Sequence, residues 1–326
     1  MHTRSQTHLG SQAPRRRRRG LFTLAGMAGL LALVGGNATM AAAGGPAASQ
    51  VVRAGAKAIG RSSKPKTPAL VSLHSSQPTG AVTPTPAVYL VFWGTQWSND
   101  PAQAASALQS LFNNLYGTQD TWGTILDQYC EGMPTGTVTC APNATFVEHP
   151  TSPLLQGVWF DTTSAAPSKA TTSQIAGEAV SAAAHFNNKT QLPNLNAQYV
   201  IASPSGTHPD GFPKSFCAWH SSTTSSFGNI AFTNLPYMPD LPAADCTTIA
   251  SPRPIDGYES TETHEYAETV TDPFPSNGWL KGGAEIADLC ENQDARLTIH
   301  GAMFDVQGLW SNAAGGCVTS GVAPST

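Results

Sequence analysis

Basic residues are scarce in this chain, and they are unevenly placed. Only 17 of its 326 residues are Lys or Arg, against 21 Asp or Glu. Six arginines, Arg4 and Arg15 to Arg19, lie within residues 1–43, which contain no acid, so the rest carries 11 bases and 21 acids. No basic patch remains that could follow a phosphate backbone, and we therefore do not expect nucleic acid as a partner.

Several motifs that mark common enzyme and metal-binding classes are also missing. Without a C-x-x-C pair, a zinc ribbon or a thioredoxin-type redox motif is not expected. Without a G-x-S-x-G elbow, a serine hydrolase has little support. Paired carboxylates could serve glycoside hydrolysis, but no sugar-stacking aromatic cluster accompanies them. Glycoside hydrolysis therefore ranks behind the two functions considered below. The chain also has no internal repeat.

The longest apolar run lies near the start and has the pattern of an export signal. Arginines precede it, the run extends from Leu21 to Val34, and the small residues Ala41-Ala42-Ala43 follow. The run is short for a membrane-spanning helix, and no later segment is apolar enough to be one. We therefore predict a signal peptide over residues 1–43, with Arg18-Arg19 indicating the twin-arginine type, and a secreted, extracellular protein with no membrane association after signal removal.

All six cysteines follow the predicted signal peptide. An even number of cysteines in an oxidising compartment indicates disulfides, although six of them allow fifteen pairings. The simplest prediction joins neighbours along the chain, namely Cys130 to Cys140, Cys217 to Cys246, and Cys290 to Cys317.

Composition and periodicity divide the rest of the chain in two. Residues 44–86 are rich in Ala, Gly, Ser, Thr and Pro, and we predict a disordered linker or a short pro-segment. Residues 87–326 are predicted to form a single globular domain of α/β class (α+β possible), a zincin-like mixed sheet with packed helices, stabilised by disulfides. The expected elements are strands at 87–93 and 198–202 and helices at 100–115, 173–186 and 258–271.

Acidic residues concentrate in one stretch of that domain. Nine of the 21 acids fall between Glu259 and Asp294, where Lys281 is the only Lys or Arg before Asp294. Like charges at this density are tolerated when they all face water, or when some of them converge on a cation.

On the predicted helix 258–271, His264 and Glu268 lie one turn apart on one face, with Glu265 beside them. This H-E-x-x-E pattern resembles the zinc-binding H-E-x-x-H motif, with a glutamate replacing the second histidine. A carboxylate can bind Zn²⁺, although the change could favour Ca²⁺. The simpler alternative is a solvated acidic helix in which Glu268 pairs with His264.

A third ligand would come from a second helical segment predicted to begin at Gly283. By similarity to gluzincin peptidases, Glu285 would complete the metal site, Asp288 would fix the tautomer of His264, and Glu265 would be the general base. His220, next to Cys217, could be a fourth ligand or a proton donor, or a hydrogen-bonded core histidine.

The block from His264 to Pro273, Trp279, and the run from Glu285 to Glu291 resemble the plant EXORDIUM/phosphate-induced protein family. The strand at 87–94 and the segment 211–220 resemble that family more loosely. The resemblance implies a secreted extracellular protein linked to cell growth, without a settled biochemical activity.

Together these observations predict a secreted zincin-like metal-dependent hydrolase, and more specifically a peptidase that acts on an extracellular polypeptide. The alternative is a non-catalytic, EXORDIUM-like binding or signalling protein whose acidic block holds calcium or faces solvent.

Overall fold

The computed structural model describes residues 73–76, 80–115, 117 and 119–321. The predicted signal peptide, residues 1–43, lies outside them. The strands are β1 (His74–Ser75), β2 (Ala87–Trp93), β3 (Cys130–Glu131), β4 (Thr145–Phe146), β5 (Leu155–Asp161), β6 (Ala197–Ala202), β7 (Trp219–Ser225), β8 (Gly228–Leu235), β9 (Trp279–Leu280), β10 (Asp294–Ile299), β11 (Ala302–Gln307), β12 (Leu309–Ser311) and β13 (Gly316–Val318). The α-helices are α1 (Ala104–Asn114), α2 (Thr172–His185), α3 (Gln191–Asn194) and α4 (Asp256–Thr271).

A five-stranded mixed sheet forms the centre of the domain, in the order β5-β2-β6-β8-β7. The first four strands are parallel, and β7 runs antiparallel to β8 at one edge. Strands β2 and β6 are nearly continuous runs of buried residues, which is the pattern of parallel strands covered on both faces. This architecture confirms the predicted α/β class.

Helices cover the two faces of this sheet. On one face the ring of Tyr89 packs against that of Phe186, the C-cap residue of α2, with ring centroids 4.7 Å apart. On the opposite face, His220 of β7 lies beside Thr233 of β8 in register, and α4 packs across these two strands. The hairpin of β10 and β11 packs against the other side of α4, so this helix lies between two sheets.

The predicted disordered linker, 44–86, is ordered where the structure describes it. Leu73 and Val82 are buried, and β1 pairs with β9. The amide of Thr83 donates to the carbonyl of Val270 in α4 at 2.7 Å. Apolar side chains and backbone pairing thus hold 73–76 and 80–86 against the domain, so the prediction of disorder is wrong for them.

The second helical segment predicted from Gly283 is also not observed. Gly282 and Gly283 both adopt positive φ, and Lys281 forms an isolated bridge with Ala284, so the chain turns sharply there. Only a short 3-10 turn follows, at Asp288–Cys290. Glu285 therefore lies on irregular backbone.

The three disulfides join the cysteines as predicted: Cys130 with Cys140, Cys217 with Cys246, and Cys290 with Cys317. This pattern fits a secreted protein. None of the helices in the described part of the chain is long and apolar enough to cross a membrane.

Candidate metal centre

Helix α4 is polar in sequence but buried along its whole length. All sixteen of its residues are buried, although it contains five carboxyl side chains and one histidine. The interpretation of a solvated acidic helix therefore does not hold. Burying this many ionisable groups is costly unless each group has a partner, so the partners indicate what the helix is for.

The acids of the first helical turn have arginine partners. Arg253 pairs with Asp256 and Glu259, each at 2.5 Å, and Arg296 also pairs with Asp256. The amide of Asp305 donates to Glu259 at 3.0 Å. These two acids are thus accounted for as structural ion pairs at the positive end of the helix dipole.

Further along α4 the partners are missing. Among the residues that the structure describes, neither carboxylate oxygen of Glu262 or Glu265 has a hydrogen-bond partner, and neither does Oε2 of Glu268. Since a buried carboxylate without a donor is unfavourable, this half of the helix has the character of a binding site.

The ring of His264 is held from its outer side by Gln307. The amide nitrogen of Gln307 donates to the carbonyl of Ala287 at 2.8 Å, which turns its Oε1 towards Nδ1 of His264 at 2.9 Å. An amide oxygen can only accept, so Nδ1 carries the proton and the neutral ring has its lone pair on Nε2.

That Nε2 atom faces two carboxylates. It lies 3.1 Å from Oε1 of Glu268 and 3.8 Å from Oδ1 of Asp288. Despite the short distance to Glu268, the angles do not form a hydrogen bond, and Nε2 is without one. Ligands at about 2.1 Å from a tetrahedral zinc ion would lie roughly 3.4 Å apart. We call His264, Glu268 and Asp288 group A.

A second set of side chains meets the same glutamate from the opposite side. Nδ1 of His220, on β7, lies 3.5 Å from Oε2 of Glu265 and 3.6 Å from Oε2 of Glu268. All three side chains are fully buried, and Nδ1 has no hydrogen bond. We call His220, Glu265 and Glu268 group B. In each group the potential ligand atoms lie within 4.8 Å of one another.

Glu285 approaches the far side of His220. Its Oε1 lies 3.4 Å from Nε2 of His220, and the backbone carbonyl of Asp272 lies 3.3 Å from the same nitrogen. The Asp272 side chain accepts from the amides of Ser276, Asn277 and Gly278. A Cβ at Gly278 would lie 2.0 Å from the carbonyl oxygen of Thr271, so only glycine permits this tight return towards the site.

The charges of these groups shift one another's pKa values. Burial lowers the pKa of His220, but Glu285, Glu265 and Glu268 oppose it, and the pKa lies well above its ordinary value. Burial raises the pKa of Glu285 well above its usual range, and nearby Glu268 adds to the shift. Burial and Glu268 likewise raise the pKa of Asp288 to about 7. The cluster is short of positive charge, and protons or a cation would relieve it.

Comparison with known proteins gave no relative. No family model, no curated protein and no solved structure matches this chain.

The structure places the predicted site residues close together, but not in the predicted arrangement. His264 and Glu268 meet as the helix spacing predicted. Asp288 was predicted to fix the tautomer of His264, but Gln307 occupies Nδ1, and Asp288 lies 3.8 Å from Nε2, where it completes group A. Glu285, predicted as the third ligand with His264, contacts His220 instead.

Sequence reasoning missed Gln307, because it is 43 residues from His264 and no local pattern marks it. The predicted role of His220 as a fourth ligand or proton donor stays a prediction, with its imidazole placed beside Glu265.

Access to the centre is narrow. Asp288 has 21% of its side chain exposed, whereas those of His220, His264, Glu265 and Glu268 are fully buried. A cavity of about 690 Å³ lies elsewhere, and none of the group A or group B residues lines it. Its walls include Met133, Leu192, Leu195 and Phe274.

Proposed function

We propose that this protein is a secreted metal-dependent hydrolase that cleaves peptide bonds. The observation that carries the proposal is the lone pair of His264 Nε2, aimed by Gln307 at the carboxylates of Glu268 and Asp288. An imidazole with two carboxylates is a suitable donor set for Zn²⁺. Nitrogen ligation favours zinc over calcium, which binds through oxygen.

Glu265 is the residue best placed to move protons. It follows His264 directly on α4, and neither of its oxygens accepts a hydrogen bond. A zinc ion in group A would polarise the substrate carbonyl and lower the pKa of a water molecule. Glu265 would take the proton of the attacking water and deliver it to the amine nitrogen as the C–N bond breaks.

Export supports an extracellular polypeptide as the substrate. Three disulfides fit a secreted chain, and the predicted twin-arginine signal is consistent with this. Substrate would approach group A from the side of Asp288, its most exposed member.

The test is metal analysis of the purified protein combined with a hydrolysis assay on denatured protein substrates. We expect at least one equivalent of zinc, and loss of hydrolysis on chelation. Glu265→Gln should lose hydrolysis and retain metal in group A, because His264, Glu268 and Asp288 are intact. Glu178→Gln, a buried carboxyl on the other side of the sheet, is the matched control and should keep activity. Less than about a tenth of an equivalent of any divalent metal would refute the proposal.

A non-catalytic extracellular protein with a structural metal is the second candidate. It is favoured by the full burial of four ligand side chains, since structural metal sites are closed whereas catalytic ones keep an open position. Metal retention with no hydrolysis by the wild-type protein would select this candidate. Hydrolysis that Glu265→Gln abolishes would select the enzyme.

A further inference from the structure

Both oxygens of Glu268 face potential metal ligands, and they face different ones. Oε1 lies 3.1 Å from Nε2 of His264, in group A. Oε2 lies 3.6 Å from Nδ1 of His220, in group B. A carboxylate presented in this way has the form of a bridge between two ions, which in two-metal sites lie roughly 3.5–4 Å apart.

The two histidines are oriented by the same device. In each, the nitrogen remote from Glu268 faces an acceptor: Gln307 Oε1 for His264, and the Asp272 carbonyl for His220. A hydrogen bond at the remote nitrogen keeps a proton there, so the nitrogen that gives up its proton to a metal ion is the one facing Glu268. Metal-binding histidines commonly donate a hydrogen bond from the ring nitrogen that does not bind the metal. Here two histidines on either side of one carboxylate have such a contact.

The distances in group B suit an ion as well as those in group A. His220 Nδ1 lies 3.5 Å from Glu265 and 3.6 Å from Glu268, too far for strong hydrogen bonds and close to the roughly 3.4 Å between ligands of a tetrahedral zinc ion. The three atoms are buried, and no described residue forms a hydrogen bond with any of them.

The negative charge around the two groups also favours a second metal ion. Six carboxyl groups lie in or beside the two groups, namely Glu262, Glu265, Glu268, Asp272, Glu285 and Asp288. One divalent ion in group A would leave most of these negative charges uncompensated in a buried setting. A second ion in group B would compensate Glu265 and a further share of Glu268.

We propose that the protein holds two divalent metal ions, bridged by Glu268, with His264 and Asp288 on one ion and His220 and Glu265 on the other. The inference rests on the proposed metal-dependent function, because group A is its first ion. Glu265 would bind the second ion through Oε2, which leaves Oε1 to accept the proton of the attacking water.

The experiment measures metal content and metal–metal coupling in the full protein. Zinc is counted by mass spectrometry after removal of loosely bound ions, and the protein loaded with Mn²⁺ is examined by electron paramagnetic resonance. We expect two equivalents of metal in the wild-type protein and an exchange-coupled manganese spectrum. His220→Gln and His264→Gln should each retain one equivalent and lose the coupling, whereas Glu178→Gln should keep both.

The possible results separate the two proposals. One equivalent in the wild-type protein, with the spectrum of an isolated ion, would overturn the two-metal inference and leave the proposed function intact. Two equivalents without coupling, or coupling that persists in Glu268→Gln, would overturn the bridging role of Glu268. No bound metal would overturn both proposals. The wild-type measurements decide the matter even if a variant fails to fold.

Discussion

Gln307 orients His264 through one hydrogen bond of 2.9 Å, between its Oε1 and the imidazole Nδ1. The two residues belong to different layers, since His264 lies on α4 and Gln307 ends β11. Gln307 is in turn fixed by its bond to the carbonyl of Ala287. The hairpin that covers α4 thus sets the direction in which His264 presents its lone pair.

We expect Gln307→Leu to weaken zinc affinity by about 10- to 100-fold, because the ring loses the acceptor that fixes its tautomer. Gln307→Glu keeps an acceptor for Nδ1 but loses the donor to the Ala287 carbonyl, so it should weaken zinc affinity less than Gln307→Leu does. Competition with a chromophoric chelator measures both. Equal affinity in Gln307→Leu and the wild-type protein would show that Gln307 does not orient the ligand.

Metal binding should stabilise the protein, because the ligands converge only when α4, β7 and the 3-10 turn at Asp288–Cys290 are packed together. Zinc at about one hundred times its dissociation constant should add about 2.7 kcal/mol to the free energy of unfolding. For a domain of this size, that corresponds to a rise in Tm of about 5–10 °C. Thermal unfolding with zinc and with chelator measures the difference.

Glu268→Gln should remove most of this zinc-dependent stabilisation, since Glu268 belongs to both groups. Glu178→Gln is the matched control and should keep it. A Tm that does not respond to zinc in the wild-type protein would contradict the prediction.

Local sequence patterns predicted α4 because the residues that end a helix can be recognised even when the helix is polar. The helix extends over 256–271, close to the predicted 258–271. Its C-cap, Asp272, precedes Pro273, which disfavours helical backbone in the residue before it. Helical geometry also predicted that His264 and Glu268, four residues apart, lie side by side on one face. The disulfide pairing followed from proximity along the chain, which keeps the closed loops short.

Local sequence patterns could not predict contacts between segments that are far apart in the chain. His220 meets Glu265 because an antiparallel edge strand lies against α4, and nothing local encodes that placement. The helix predicted from Gly283 failed because two glycines at positive φ turn the chain before it. That turn moves Glu285 to the side of His220 and leaves Asp288 for His264.

The disulfide between Cys217 and Cys246 should matter for the metal centre as well as for stability. Cys217 lies three residues before His220, and a Cβ at Gly257 of α4 would lie 3.3 Å from Cβ of Cys246, so the bridge ties β7 to the start of α4. Replacing both cysteines by alanine should cost about 3–4 kcal/mol, as the loop-entropy relation gives for this separation. We also expect weaker zinc binding, measured by chelator competition.

Alanine at Cys130 and Cys140 is the matched control for that variant. This shorter loop should cost about 2–3 kcal/mol. Neither cysteine belongs to group A or group B, so zinc affinity should stay unchanged. Equal losses of affinity in the two double variants would indicate a general loss of structure.

Glu178 should make the metal-free protein less stable as the pH rises. Burial raises the pKa of this carboxyl to about 8, and the neighbouring Asp161 adds to the shift. In the unfolded chain the pKa returns to about 4.5, so between these two pH values the folded state binds more protons than the unfolded state. Its contribution to the free energy of unfolding is therefore present below about pH 4.5 and is lost as the pH rises through about 8.

Glu178→Gln carries no charge at any pH, so in chelator its Tm should fall less between pH 5 and 8 than the wild-type Tm. Glu148→Gln, which changes an exposed carboxyl, should follow the wild-type profile. Parallel Tm profiles for Glu178→Gln and the wild-type protein would contradict the raised pKa and would remove Glu178 as a source of pH dependence.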